Sequence, residues 1–231
     1  MSFSVVIPSR NATNLIACVR RVREMEGFGP RIIIVDDGLD MKQADATSRD
    51  GCWLCDMDPT LRVSGRRPFI FSRNINIGIA AAGTDDVIFL NDDALLMSIY
   101  GFRRMEEKSK DTSYGIISAV TNLAGNPAQH PTGRDSTLLR DETRTVAFVC
   151  VYIPRRTITS VGLLDERFIT YGWEDNDYCR RARNANLKIG IFDGCFVDHG
   201  SLRSTFRGDP KTAGDIEPGA QIYRSKWGNL E

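Results

Sequence analysis

Acidic side chains end two apolar runs of the chain. The triplet Asn91-Asp92-Asp93 follows one run, and the pair Asp36-Asp37 follows another. Carboxylate oxygens at a strand end are the ligands that hard cations such as Mg²⁺ or Mn²⁺ prefer. A capped turn that leads into a helix would explain either acidic group alone. Since two such ends are present, the sequence keeps both a cation site and a capped turn open.

A third acidic cluster begins a predicted helix. Glu174, Asp175 and Asp177 stand there, just after Tyr171 and Trp173. Helix N-termini stabilise negative charge, so capping alone explains any one of these acids. Aromatic rings beside carboxylates also form sugar-stacking platforms next to a general base. The segment therefore offers helix capping and sugar chemistry as alternatives.

Arg73 and His199 suggest a function only if acidic groups or a metal lie near them. Arg73 lies near another predicted strand end, where it suits a phosphate held beside a cation, although alone it is typical of a solvated helix start. His199 is one of 2 histidines and follows a predicted strand. A lone histidine is usually structural unless a metal lies nearby.

Several cofactor motifs are incomplete. The segment 78–85 has the glycine spacing of a phosphate-binding loop but no lysine, and no Gly-x-Gly-x-x-Gly follows the first strand. Asp36-Asp37 lacks the Asp-x-Asp spacing of an aspartyl-phosphate phosphatase. Cys52 and Cys55 have no second pair and no adjacent histidine to complete a zinc site. Hydride, phosphoryl-transfer and zinc chemistry therefore lose support.

The elements that must position these residues alternate along the chain. Apolar runs predict strands at 3–7, 31–35, 69–71, 87–90, 116–120, 146–153, 188–192 and 195–198. Helical periodicity between the first two strands and at 73–82, 98–110 and 174–185 predicts helices, whereas 40–67, 121–143 and the tail after 199 are rich in polar, glycine and proline residues. This pattern predicts an α/β fold: one Rossmann-like domain with a mostly parallel sheet and a ligand site beyond the carboxyl ends of the strands.

Composition restricts the class of protein. The 231 residues include 30 Lys+Arg and 30 Asp+Glu, so no net charge attracts a polyanion, although local patches remain open. No apolar run approaches the roughly 18 residues that span a bilayer, and no charged leader precedes the first apolar stretch. The 6 cysteines are scattered rather than framework-like. We expect a cytoplasmic protein with no integral membrane segment and no nucleic-acid partner, either soluble or peripherally associated.

Taken in order, the segments resemble the family 2 glycosyltransferases of the GT-A fold, including their bacterial rhamnosyl- and galactofuranosyl-transferring members. The matching segments are 5–11, 33–38, 72–80, 90–93 and 173–177, with 197–201 and 223–228 similar to the closing portion of those members. Each motif alone is weak, but the ordered set covers most of the chain. Asn91 departs from the pattern, because the metal motif of the family begins with Asp.

The resemblance implies a role for each matching residue. The nucleotide sugar would contact Pro8, Ser9, Arg10, Asp37, Arg73, Asn76, Asn91 and Asp92. Asp93 and His199 would bind Mn²⁺ or Mg²⁺, while Tyr171 and Trp173 would bind the acceptor. The halves 1–95 and 96–199 would bind donor and acceptor, and 200–231 would form a C-terminal lid or tail.

The chemistry expected of such a site is a single displacement with inversion. The cation and Arg73 stabilise the leaving diphosphate. Asp175 removes the proton of the acceptor hydroxyl, with Glu174 as the alternative base. The acceptor is a glycan, a protein or a lipid-linked sugar; the donor base, the donor sugar and any homo-oligomer stay open.

Two other functions compete with this prediction. A sugar-1-phosphate nucleotidylyltransferase also combines an α/β sheet, paired Asp residues and a cation, but it needs a glycine-rich turn where this chain has Pro8-Ser9-Arg10-Asn11. A degenerate, non-catalytic domain that binds glycans or a partner would lose charged site residues, whereas Asp93, Asp175 and His199 are all present.

Overall fold

A computed structural model of the chain describes residues 3–40, 60–133, 137–170, 172–202, 204 and 216–228. Its strands are β1 (Phe3–Ser9), β2 (Arg31–Asp36), β3 (Thr60–Ser64), β4 (Asp86–Leu90), β5 (Leu95–Leu96), β6 (Tyr114–Thr121), β7 (Leu139–Glu142), β8 (Cys150–Ile153) and β9 (Lys188–Asp198). Its helices are α1 (Ala12–Glu26), α2 (Phe71–Ala82), α3 (Gly101–Lys108), α4 (Arg155–Val161), α5 (Glu174–Asn184) and α6 (Glu217–Trp227). A 3₁₀ turn spans Pro127–Gln129.

The strands form one sheet in the order β3-β2-β1-β4-β8-β6-β9-β5, and β7 pairs with β9. β1 is parallel to both β2 and β4, β2 is parallel to β3, and β6 is parallel to β9. β8 runs antiparallel between β4 and β6, which leaves those two strands pointing the same way. The carboxyl ends of β1, β2, β4, β6 and β9 therefore meet at one edge of a mixed α/β sheet.

Helices cover both faces of this sheet. Along β1 the fully buried side chains alternate, with Val5 and Ile7 in one core cluster and Val6 in the other. α1 and α3 pack on the first face, while α2, α4 and α5 pack on the second. A central strand that is buried on both sides reads as a continuous apolar run, which is why the sequence reveals β1 so clearly.

The strand predicted at 69–71 is wrong. Residues 60–64, expected in a loop, form edge strand β3 beside β2, and α2 already begins at Phe71. β3 carries Arg62, whose guanidinium pairs with Asp36. A short edge strand with a polar side chain at its centre lacks the apolar signal on which the prediction depended.

The C-terminal region also differs from its prediction. The two strands expected at 188–192 and 195–198 are the single strand β9, with a register irregularity against β6 where the break was expected. The segment expected to be a glycine- and proline-rich tail contains α6. Pro218 lies in the first turn of α6, a position where proline is favoured because its missing N–H is not needed.

α2 approaches β1 through a glycine. A Cβ placed on Gly78 would lie 2.1 Å from Cγ1 of Val6, in the fully buried core. No side chain larger than hydrogen fits between this helix and the strand that leads to the site. The site geometry at the end of β1 therefore depends on a glycine in the middle of a helix.

Gly78→Ala is expected to lower the free energy of unfolding by about 1–3 kcal/mol, because the overpacking cost exceeds the gain in helix propensity. Urea unfolding followed by circular dichroism measures this change. Gly125→Ala is the matched control, since a Cβ there meets nothing within 4 Å. A Gly78 variant as stable as the control would contradict the close approach.

Candidate active site

A cavity of about 380 Å³ opens at the carboxyl edge of the sheet. The predicted site residues that line it are Pro8, Arg10, Asn91, Asp92, Asp93, Trp173, Glu174, Asp175 and His199. They come from the ends of β1, β4 and β9 and from the start of α5. The structure therefore brings two of the three predicted acidic clusters into one cavity, whereas Asp36 and Asp37 do not line it.

Asp93 and His199 face each other at the inner end of the β4 loop. Nε2 of His199 lies 3.1 Å from Oδ1 of Asp93, and both side chains are nearly buried. Nδ1 of His199 lies 2.7 Å from the carbonyl oxygen of Leu123, which only accepts, so Nδ1 carries a proton. In the neutral ring the Nε2 lone pair then points at a carboxylate oxygen. Only a proton or a cation between the two atoms removes that repulsion.

The side chains of Asp93 and His199 suit a divalent cation whose remaining ligands come from a bound molecule. A carboxylate oxygen suits Mg²⁺ or Mn²⁺, and an imidazole nitrogen is more typical of transition metals, so the pair suits Mn²⁺ best. No group of three His, Cys, Asp or Glu side chains in the described part of the chain would hold a metal by itself. Further ligands would have to come from a bound molecule such as a diphosphate.

Asp92 turns away from this pair towards β1. The hydroxyl of Ser9 donates a hydrogen bond of 2.5 Å to Oδ2 of Asp92. The pKa of Asp92 is raised to about 7: burial is the main cause and the nearby Asp93 carboxylate contributes, whereas Ser9 and Arg10 oppose the rise. Asp92 thus retains its charge more readily when a positive or hydrogen-bonding ligand is present.

Asp37 lies at the end of β2, beside Arg10. Its carboxyl is 6% exposed, and Nε of Arg10 lies 3.6 Å from Oδ2. Burial raises the pKa of Asp37 although Arg10 and two other arginines oppose that rise. The guanidinium of Arg10 also stacks 4.7 Å from the ring centre of Phe69, which lines the cavity. Arg10 therefore connects Asp37 with the cavity wall.

Arg73 and Asn76 do not line the cavity, and their side chains bind backbone groups of neighbouring loops. The Arg73 guanidinium donates to the carbonyl oxygens of Arg66 and Pro68, and it does not line the cavity. The Asn76 amide exchanges hydrogen bonds of 2.9 and 3.0 Å with the backbone of Leu164. Both side chains hold loops against α2. Their predicted contacts with a nucleotide sugar stay predictions, and Tyr171 lies outside the described residues.

Glu174 and Asp175 begin α5 and line the cavity. Burial raises the pKa of Glu174 to about 8, and the adjacent Asp175 charge adds to the shift. Burial also raises the pKa of Asp175, to about 6, but backbone N–H groups of Asn176 and Phe148 stabilise its anion. Burial thus raises the pKa of both carboxyl groups, and the backbone N–H groups make Asp175 the member of the pair whose anion is better stabilised.

Trp173 precedes these acids in a left-handed conformation, with φ of 76°. That conformation is costly for an aromatic residue and persists only where surrounding contacts hold it. α6 supplies such contacts: the Tyr223 ring lies 5.1 Å from the Trp173 ring, and a Cβ on Gly219 would lie 2.7 Å from the carbonyl oxygen of Gly172. The C-terminal helix α6 therefore packs directly against the segment that contains Gly172 and Trp173.

Asp177 joins α5 to α6. Its fully buried carboxylate lies 2.9 Å from Nε of Arg181 and 2.7 Å from Nζ of Lys226, and it accepts a 2.8 Å bond from Trp227. The sequence placed Asp177 in the capping cluster and did not reveal this role. The pairing of Asp177 with Arg181 at helical spacing is a visible signal, but the contacts to α6 span about 50 residues.

The sequence matches a known protein family. The family model described as Glycosyl transferase family 2 matches residues 4–122 of this chain. A curated relative, the uncharacterized protein y4gI of Sinorhizobium fredii, is 24% identical over 207 residues. That match covers 79% of this chain but only 22% of the relative, so this chain spans about a fifth of that protein's length.

Solved structures share the fold at low identity. The crystal structure of GalNAc-T7 with UDP, GalNAc and Mn²⁺ matches at TM-score 0.70 and 15% identity, over 97% of this chain and 48% of that one. The mannosyltransferase PcManGT of Pyrobaculum calidifontis, in complex with GDP-Man and Mn²⁺, matches at 0.62 and 14%, over 89% and 59%. TarS 1-349 of S. aureus matches at 0.59 and 13%, over 85% and 60%. These likenesses show that the α/β sheet has the GT-A fold.

Asp177→Asn is expected to lower the free energy of unfolding by about 3 kcal/mol, because Arg181 and Lys226 keep their charges after their shared carboxylate is lost. Urea unfolding measures the change. Glu217→Gln is the matched control on α6: its pair with Arg224 is exposed, and its loss is worth less than about 1 kcal/mol. Equal stability of the two variants would show that α6 does not depend on Asp177.

Proposed function

The chain belongs to glycosyl transferase family 2, and from that premise we propose that it transfers a sugar from a nucleoside-diphosphate sugar to an acceptor hydroxyl. One observation carries the proposal. A single cavity contains an acid–histidine pair suited to Mn²⁺ and a pair of carboxyl groups whose pKa values are split around neutral pH. The structural relatives that contain UDP or GDP-Man together with Mn²⁺ support the same donor class and cation.

On the donor side, Asp93 and His199 would bind Mn²⁺, with Mg²⁺ as the alternative. When bound, such an ion supplies positive charge to the departing diphosphate. Arg10 lines the cavity beside Asp92 and adds a cation to the same side. Asp92 and Asn91 would orient the ribose and the sugar of the donor. Asp37 would contact its nucleobase.

On the acceptor side, Asp175 acts as the general base. Its carboxylate removes the proton of the acceptor hydroxyl while that oxygen forms the new bond to the anomeric carbon and the diphosphate departs. This single displacement inverts the anomeric configuration. Glu174 stays protonated and donates a hydrogen bond, and Trp173 provides an aromatic face for the acceptor sugar.

The donor base and the donor sugar stay open, although the chain resembles rhamnosyl- and galactofuranosyl-transferring members. The acceptor hydroxyl belongs to a glycan, a protein or a lipid-linked sugar. In this proposal residues 1–95 bind the donor, residues 96–199 the acceptor, and residues 200–231 form a C-terminal lid or tail. In the part of the chain that the structure describes, no helix has the length and apolar character needed to cross a membrane; a cytoplasmic location and a homo-oligomer stay predictions.

Donor binding is tested by thermal shift with uridine, guanosine, thymidine, cytidine and adenosine diphosphates, each with and without Mn²⁺. One nucleotide class is expected to stabilise the protein only with the metal, by about 2.7 kcal/mol at a hundred times its dissociation constant. Asp93→Ala is expected to abolish the metal-dependent part. A shift that persists in Asp93→Ala, or that appears without Mn²⁺, argues against the assigned metal pair.

Transfer is tested with the nucleotide sugar that the screen identifies. Asp175→Asn is expected to keep metal-dependent donor binding and to lose about 10²–10⁴ in kcat. In the native protein kcat falls as the pH drops through about 6, because the base becomes protonated. Near-full turnover of Asp175→Asn would assign the base to Glu174. NMR of the product gives the anomeric configuration, and retention would exclude a single displacement.

A further inference from the structure

Lys226 of α6 binds two carboxylates that are separate in the sequence. Its ammonium nitrogen lies 2.9 Å from Oδ2 of Asp165 and 2.7 Å from Oδ1 of Asp177. The Asp177 side chain is fully buried, and those of Asp165 and Lys226 are 14% and 22% exposed, so little water screens either contact. We call Asp165, Lys226 and Asp177 the lysine bridge.

Neither carboxylate depends on Lys226 for a counter-charge. The guanidinium of Arg167 lies 2.6 Å from Asp165, and that of Arg181 lies 2.9 Å from Asp177. Each acid thus pairs with an arginine near it in the sequence, and what the lysine adds is a connection between the two acids. Arg167 and Lys226 hold the pKa of Asp165 well below its usual range, so this end of the bridge stays ionised in mildly acidic solution.

The lysine bridge joins the two ends of a segment that forms part of the cavity wall. Between Asp165 and Asp177 the chain contains the cavity-lining residues Ile169, Thr170, Trp173, Glu174 and Asp175. The bridge itself lies outside the cavity lining. It therefore acts on the site only through the position of this segment.

The start of the segment is fixed to α2 as well. The buried Asn76 side chain exchanges hydrogen bonds with the backbone of Leu164 and donates a further one of 3.0 Å to the Glu166 carboxylate. Asp165 lies between these two residues and so has a defined position relative to the sheet. Lys226 transfers that position to Asp177 in α5.

The segment also contains a strained turn. Gly172 and Trp173 have φ values of 90° and 76°, and such a conformation persists for an aromatic residue only where surrounding contacts hold it. The first turn of α5, which contains Glu174 and Asp175, follows directly. An open bridge would let Trp173 relax towards the extended region and would shift that turn.

We propose that Lys226 is a positioning residue for sugar transfer, because the lysine bridge holds Trp173 and Asp175 in the geometry that the acceptor requires. This role rests on the proposed function, in which Asp175 is the base. Lys226 touches no reacting group and acts through Asp165 and Asp177. A displacement of about 1 Å at reacting groups costs about 10²-fold in rate.

Kinetics of transfer at varied donor and varied acceptor concentrations test this role. Lys226→Met is expected to lower kcat/KM for the acceptor about 10²-fold, while the donor KM and the Mn²⁺-dependent nucleotide shift stay unchanged. Asp165→Asn is expected to do the same, because it opens the bridge but leaves Lys226 on Asp177. That variant keeps α6 anchored, so its result holds even if Lys226→Met fails to fold.

Two further variants serve as controls. Arg167→Met removes the other cation of Asp165 and leaves the bridge closed, so transfer should be unchanged. Lys226→Arg should retain transfer, since a guanidinium can bind both carboxylates.

Hydrogen exchange followed by mass spectrometry reports on the bridge without catalysis. Residues 172–176 should exchange faster in Lys226→Met and Asp165→Asn than in Arg167→Met. Exchange or transfer equal to that of Arg167→Met in both variants would overturn the proposal, and so would an equal loss of donor binding, which indicates general damage. If the native protein transfers no sugar, the proposed function fails, whereas the exchange result still decides whether the lysine bridge holds the segment.

Discussion

The removal of four carboxyl groups from water is the constraint on which the rest of this structure depends. Asp92, Asp93, Glu174 and Asp175 line one cavity, and burial alone would favour their neutral forms. Hydrogen-bond donors offset this cost for three of them: the Ser9 hydroxyl for Asp92, and backbone N–H groups for Glu174 and Asp175. Asp93 instead faces the His199 imidazole, where a proton or a cation is needed between the two side chains. The sheet edge is the place where a parallel fold can supply such groups from several strands at once.

The same constraint explains the arrangement of the C-terminal helix. A left-handed Trp173 is unfavourable in isolation, and its ring lies against Tyr223 of α6. The buried Asp177 carboxylate fixes α6 through Lys226 and Trp227. α6 thus supports the wall of the cavity at Trp173 by packing. Loss of this packing would release the very segment that carries the proposed base.

The sequence predicted those parts of the site that depend on local pattern. Buried parallel strands are continuous apolar runs, and the polar residue that ends each run lies at the ligand edge, so Asp92, Asp93 and His199 were found without a structure. Arg73 and Asn76 show the limit of this reasoning, because helical periodicity gives the face of a residue but not its partner. β3 and α6 were missed for a related reason: Arg62 pairs with Asp36 and Lys226 with Asp177, over sequence separations that no local window contains.

The amide at position 91 fits this electrostatic balance. Asn91 lines the cavity next to two carboxyl groups, and the pKa of Asp92 already rises to about 7 through burial and the charge of Asp93. A third carboxylate at position 91 would raise the pKa of Asp92 further. An amide oxygen still offers a hydrogen-bond acceptor to a ribose or a bound water but adds no charge. The departure from the acidic motif therefore adds no further like charge beside Asp92 and Asp93 at the end of β4.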